Sequence, residues 1–261
     1  MRKLLLVALF LLLDTAIAAA ANQGVLVPIF YGDAGANGSL WRTRLTIFNH
    51  SDIPLPGIPI VLQCPIPEGC QQPIPAKSSV SLLATNGFRY PLGFFLFSGA
   101  DTSDVWYSVR VFDESRSGTN YGTDVPVVPL SAFTSQPLQI LDIPTDPAFR
   151  VTLRVYAIPP AAPRVRVAVV QDPSPTFGSQ QNPPIPLKET SYDLAPSSDP
   201  STVSFSRPSG AVIGDLLSGV RSAGQVRVEV QSTDGTPIWA FAAITNNATQ
   251  FVSVAVPRSL P

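Results

Sequence analysis

The chain has 261 residues, of which 45% are hydrophobic and only 13% charged, and this excludes a chain disordered by composition. Its formal net charge of −1 excludes an electrostatic case for binding nucleic acid or an anionic membrane. A single histidine excludes a metal centre built from several imidazoles, while 28 prolines and 17 glycines suit an exported β-protein.

The N-terminus reads as a secretion signal over residues 1–21. Met1-Arg2-Lys3 is a basic start, Leu4 to Leu13 is an unbroken apolar run, and Ala16-Ile17-Ala18 and Ala18-Ala19-Ala20 both fit a small-x-small cleavage site. The run is too short to cross a bilayer, which needs about 20 residues, so no membrane insertion is expected after cleavage. No cysteine follows the cleavage region, which argues against a lipid anchor. Without Arg2, Lys3 and Asp14 the mature chain keeps 15 basic and 17 acidic residues and stays nearly neutral. The expected location is secreted, periplasmic or on the cell surface.

The rest of the chain states one pattern twice. Trp41 to Phe48 aligns without a gap with Phe149 to Tyr156. Ser98 to Trp106 answers Ser232 to Trp239, and Val125 to Pro129 answers Val252 to Pro257. Within the first pair of segments the alternation is strict. Trp41, Thr43, Leu45 and Ile47 share one face, Arg42, Arg44 and Thr46 the other. In the second copy Phe149, Val151, Leu153 and Val155 oppose Arg150, Thr152 and Arg154. That period of two predicts strands with one face on a core and one in water. Arg164 to Val169 and Val226 to Gln231 repeat it. Turn-forming clusters separate the runs, at Gly32 to Gly38, Ser51 to Gly57 and Thr233 to Pro237. The one helical expectation is the short stretch Gly210 to Val220.

These elements predict an all-β chain of two tandem antiparallel sandwiches, over residues 24–131 and 137–258. The joint, Ser131 to Gln136, is too short and too apolar for a free tether, so the modules are expected to pack together or share an edge. Residues 172–209 of the second module form a Pro-rich insertion, expected as an extended surface loop. In the first module Cys64 and Cys70 read as a local disulfide closing a turn in an oxidising compartment.

Val27-Pro28, the turn Gly35 to Ser39, the run Trp41 to Asn49 and Tyr121 to Pro126 together resemble a module of secreted bacterial proteins. That module recurs in tandem and has an immunoglobulin-like layout. The resemblance covers nearly the whole mature chain and implies a fold, but no activity and no catalytic residue. The second copy departs from it, with Ala157 where the first has Asn49.

Catalytic motifs are sparse. His50, beside Asn49, Ser51 and Asp52, would have to serve any Ser-His-Asp triad, and no Gly-x-Ser-x-Gly elbow accompanies it. Asp101 with Asp104, or Asp113 with Glu114, are the carboxylate pairs a hydrolase would use. The same residues converging at one sandwich end would offer oxygen ligands to Ca2+, the one cofactor with a sequence rationale. Asn37, Asn49 and Asn247 fit glycosylation sequons, which matter only in a eukaryotic secretory route. Aromatics give the other handle. Trp106, Tyr107 and Tyr121 form a candidate ligand platform within an aromatic-rich first module. The expected function is a secreted non-catalytic structural or interaction protein, with an extracellular protein or polysaccharide as partner. The alternatives are a carbohydrate-binding module, and a hydrolase or protease inhibitor.

Overall fold

The computed structural model describes residues 24–55, 73–85, 88–97, 104–116, 118, 121–172, 183–197, 205–222 and 225–259. The signal segment 1–21 and the Cys64/Cys70 loop lie outside these residues, as does Asp101. The described chain is all-β, with 19 strands in four sheets and only antiparallel pairing.

The strands fall in two sets. The first comprises β1 (Gly24–Val27), β2 (Phe30–Ala34), β3 (Leu40–Asn49), β4 (Ser79–Leu83), β5 (Phe88–Tyr90), β6 (Phe94–Phe97), β7 (Val105–Asp113), β8 (Thr123–Val125) and β9 (Val128–Pro129). The second comprises β10 (Leu138–Ile143), β11 (Phe149–Ala157), β12 (Arg164–Gln171), β13 (Ile185–Asp193), β14 (Phe205–Ser206), β15 (Ser209–Ile213), β16 (Val226–Ser232), β17 (Ile238–Asn246), β18 (Val252–Ala255) and β19 (Arg258–Ser259).

One sheet runs β5-β2-β3-β7-β8, with β4 also paired to β3. A second runs β14-β6-β1-β9, a third β15-β11-β17-β18 and a fourth β13-β12-β16-β10-β19. Two hydrophobic cores hold them. The first joins Leu45, Ile47, Val105 and Val109 to Leu26, Phe94 and Phe95, from the first and second sheets. The second joins Val151, Leu153 and Val155 to Val167, Val228 and Val230, from the third and fourth. Most of the residues on the predicted inward side of the alternation are buried, with Trp41 only half-buried, and Arg42, Tyr156 and Ala168 are buried from the outward side.

The central strands of the third sheet, β11 and β17, meet a core on both faces. On β17, Ile238, Ala240 and Ala242 enter the second core, while Trp239 and Phe241 enter the first together with Tyr156 of β11. The Tyr156 hydroxyl donates to the Pro28 carbonyl at 2.6 Å inside the protein, and burial pushes its phenol well above the ordinary value. Arg150, Thr152 and Arg154, expected in water, are therefore half-buried under the first set of strands. A period of two names the two faces of a strand. It cannot say that a second core will cover the polar one.

The expected loop 172–209 contains structure. Ile185–Asp193 pairs along β12 from Arg164↔Asp193 to Gln171↔Ile185, and Phe205–Ser206 adds a strand to β6 at Leu96 and Phe95. Proline did not prevent this because Pro186 lies on an edge strand, beside a register shift where no ladder donor is required. The expected helix 210–220 is also absent. Gly210 to Ile213 belong to β15, paired with β11, and a turn follows at 216–219. Gly210 lies so close to the Val155 carbonyl that a Cβ there would sit 2.5 Å from it, a contact only glycine permits. The joint is part of the packing. Phe133 is buried against Phe95 at 5.8 Å between ring centres, and Thr134 bridges to Ile238.

Candidate functional site

The aligned segments end up in equivalent pairings. β3 meets β7 from Trp41↔Asp113 to Asn49↔Val105, and β11 meets β17 from Phe149↔Asn246 to Ala157↔Ile238. Trp106 thus sits opposite Phe48 just as Trp239 sits opposite Tyr156. Their surroundings differ completely. Trp239 is 5% exposed between the two cores, whereas Trp106 is 58% exposed on the outward face of β7.

That face is ordered by β alternation. Val105, Val109 and Asp113 of β7 point inward, which sends Trp106, Ser108, Arg110 and Phe112 outward. Across from them on β3 lie Phe48, Thr46, Arg44 and Arg42. At one end His50 stacks on Trp106 with ring centres 4.7 Å apart and planes 19° from parallel, and Phe48 packs beside Trp106 at 5.7 Å. The backbone holds His50 in place, its N–H donating to the Asp104 carbonyl at 2.8 Å while its own carbonyl accepts from Lys77 Nζ at 2.6 Å. Mid-face, the Thr46 and Ser81 hydroxyls meet at 2.9 Å.

At the other end Arg110 makes a two-pronged contact with Asp124, at 2.8 and 2.9 Å. This bond is the main cause that raises the guanidinium and lowers the carboxylate from their ordinary values. Tyr121, 85% exposed, lies over Arg110 at 4.9 Å, and Arg44 lies over Phe112 at 5.5 Å. Four residues of strand put Trp106 and Arg110 about 13 Å apart, so the face carries an aromatic ring at each end of a polar middle.

Of the three platform residues, the structure brings Trp106 and Tyr121 to this face. Tyr107 points the other way, half-buried against the first core. Phe48 and His50 were not recognised as members. Their signal was present, since Phe48 takes the outward phase of β3 and His50 directly follows that strand.

The proposed calcium ligands do not converge. Asp104 precedes β7 and Asp113 ends it, nine residues away, which is about 30 Å of strand. Asp113 is fully buried and fully used. It accepts from the Leu40 N–H at 2.8 Å and from the Ser115 hydroxyl at 2.6 Å, and it pairs with Arg116 at 3.1 Å. Burial pushes its carboxyl up, but these donors outweigh that and hold it below the ordinary aspartate value. Glu114 pairs with the buried Arg42 at 2.9 Å. Among the described residues no three His, Cys, Asp or Glu side chains gather as a metal site would require.

Asn49 is a fixed part of the scaffold. Fully buried, it donates from Nδ2 to the carbonyls of Ile53, Ile74 and Pro75, at 2.8, 3.0 and 3.0 Å. Its Oδ1 accepts from the N–H and hydroxyl of Ser51. An amide so enclosed cannot take a glycan in the folded chain.

No protein-family model matches this chain, and no curated protein or solved structure matches it either.

Proposed function

We propose that this is an exported, non-catalytic interaction protein built from two tandem immunoglobulin-like sandwiches, and that it holds its partner on the outward face of β3 and β7. One observation carries the reading. Two tryptophans in equivalent pairings have opposite fates, Trp239 covered by the neighbouring strands and Trp106 left at 58% exposure. An indole exposed to that degree, flanked by Phe48 and braced by His50, is apolar surface that folding leaves to water and that binding can cover.

The reactive inventory supports a binding role over a catalytic one. His50 is engaged in an aromatic stack, and both oxygens of Asp113 are taken by donors within the fold. The non-catalytic assignment also draws on the leader segment and on the resemblance to tandem modules of secreted bacterial proteins. A polysaccharide is the favoured partner because Trp106 and Tyr121 sit on one face with hydroxyl groups between them, the arrangement that stacks on sugar rings and bonds their edges.

The test is a pull-down of residues 22–261 against a panel of insoluble and soluble polysaccharides. Saturable retention on one polymer, lost in Trp106→Ala at unchanged melting temperature, supports the sugar-binding form of this reading. Retention unaffected by Trp106→Ala and by Tyr121→Ala refutes the assigned face. Absence of retention on every polymer removes the polysaccharide and leaves a protein partner for the same face.

A further inference from the structure

Between the two sets of strands lies a cavity of about 180 Å3, distinct from the exposed β3–β7 face. One wall comes from the first set, through Ile29, Trp41, Val111 and Val125, and the other from β11, β17 and β18. Arg150, Thr152 and Arg154 reach it from successive outward positions of β11, the two arginines about 13 Å apart along the strand.

The charge here is unbalanced. Two other enclosed arginines meet carboxylates, Arg42 at Glu114 and Arg227 at Glu229, each at 2.9 Å. Among the described residues Arg150 and Arg154 meet none, and the cavity wall contains no acidic residue. Arg150 donates only to neutral amide oxygens, from Nη1 to Asn247 Oδ1 at 3.0 Å and from Nη2 to Gln250 Oε1 at 2.6 Å. Arg154 donates from Nε to the Pro91 carbonyl at 3.1 Å and lies against Phe241 at 5.6 Å, and among the described residues its two terminal nitrogens have no acceptor. Desolvation lowers both guanidinium groups from the ordinary arginine value. A half-buried cation without a counter-ion is costly, and two on one cavity invite an anion.

We propose that this cavity is a binding site for a small organic carboxylate, its oxygens on the terminal nitrogens of Arg154, its carbon chain against Val111, Val125 and Val254, with Arg150 adding positive charge at a distance. Guanidinium groups match carboxylates in shape, taking two parallel hydrogen bonds. The apolar wall favours an acid with a hydrocarbon body over an inorganic anion.

The experiment is calorimetric titration of residues 22–261 with the straight-chain acids from acetate to hexanoate, and with inorganic phosphate. Saturable binding is expected, tightening roughly fourfold for each added methylene until the cavity is full. Trp41 lines the cavity, so its fluorescence should change with the same saturation curve, and Trp41→Phe should remove that change. Arg154→Gln should weaken binding at least tenfold. Ala243→Leu fills the cavity while keeping both arginines, and it should abolish binding even if the arginine variant folds poorly. The proposal is overturned if no acid in the series saturates the protein, if phosphate binds as tightly as the acids, or if the acids still bind the Ala243→Leu protein.

Discussion

Single side chains carry loads in this protein that their residue type does not announce. Asn49 clamps three carbonyls from two separate segments, so Asn49→Ala leaves buried acceptors without donors and should cost about 2–4 kcal/mol in a urea titration. Asp234 shows the effect of a turn on a carboxyl. The Ser232 hydroxyl and the Thr236 N–H donate to it and hold it at about 2. An unfolded aspartate titrates near 3.9, so the unfolded chain takes up the proton first as pH falls. The stability contributed by Asp234 is therefore complete above about pH 4 and is lost as pH falls toward 2. Asp113, also held below its ordinary value, acts in the same direction. Urea midpoints measured from pH 2 to 5 should fall with acidity, and Asp234→Asn should make that fall shallower. An identical pH slope in the variant would refute the assignment.

At the scale of the element, the same strand pairing serves two ends. β7 and β17 each place a tryptophan at the second position, but one strand borders water and the other a second core. Trp239→Ala should cost about 3–5 kcal/mol, the range for emptying a buried aromatic site. Trp106→Ala should change stability by less than about 1 kcal/mol, because an exposed ring leaves no cavity behind. Thermal or urea unfolding of the two variants side by side separates these outcomes. Equal costs would mean that Trp106 is packed in solution and would undercut the proposed binding face.

At the scale of the whole molecule, neither set of strands closes its core alone. The first core takes Tyr156, Trp239 and Phe241 from the third sheet, and β14 completes the edge of β6. The two cores should therefore melt in one transition, and calorimetry of the intact chain should give matching van't Hoff and calorimetric enthalpies. A fragment ending at residue 131 exposes the surface that those three aromatics cover. It should bind a hydrophobic dye and unfold at lower denaturant than the intact chain. Two resolved transitions in the intact chain would refute this coupling.

The alternation of apolar and polar side chains was enough by itself to place the strands at 41–48, 149–156, 164–169 and 226–231 and the core face of each. Thr43, Leu45 and Ile47, and Val151, Leu153 and Val155, are buried as their phase predicts, because a pleated strand has only two sides. Turn composition likewise separated the strands, since glycine and aspartate lower the cost of reversing the chain. What covers the outward side was decided only in three dimensions. Arg150 and Arg154 on β11 read like Arg42 and Arg44 on β3, yet two of these four line an internal cavity and one faces solvent. Residues 185–193, 205–206 and 209–213 became strands through partners far along the chain, a pairing that local propensity does not encode. The exposure of Trp106 and the burial of Trp239 belong to the same class of decision. Both occupy outward positions of their strands, and only long-range docking of one sheet face distinguishes them.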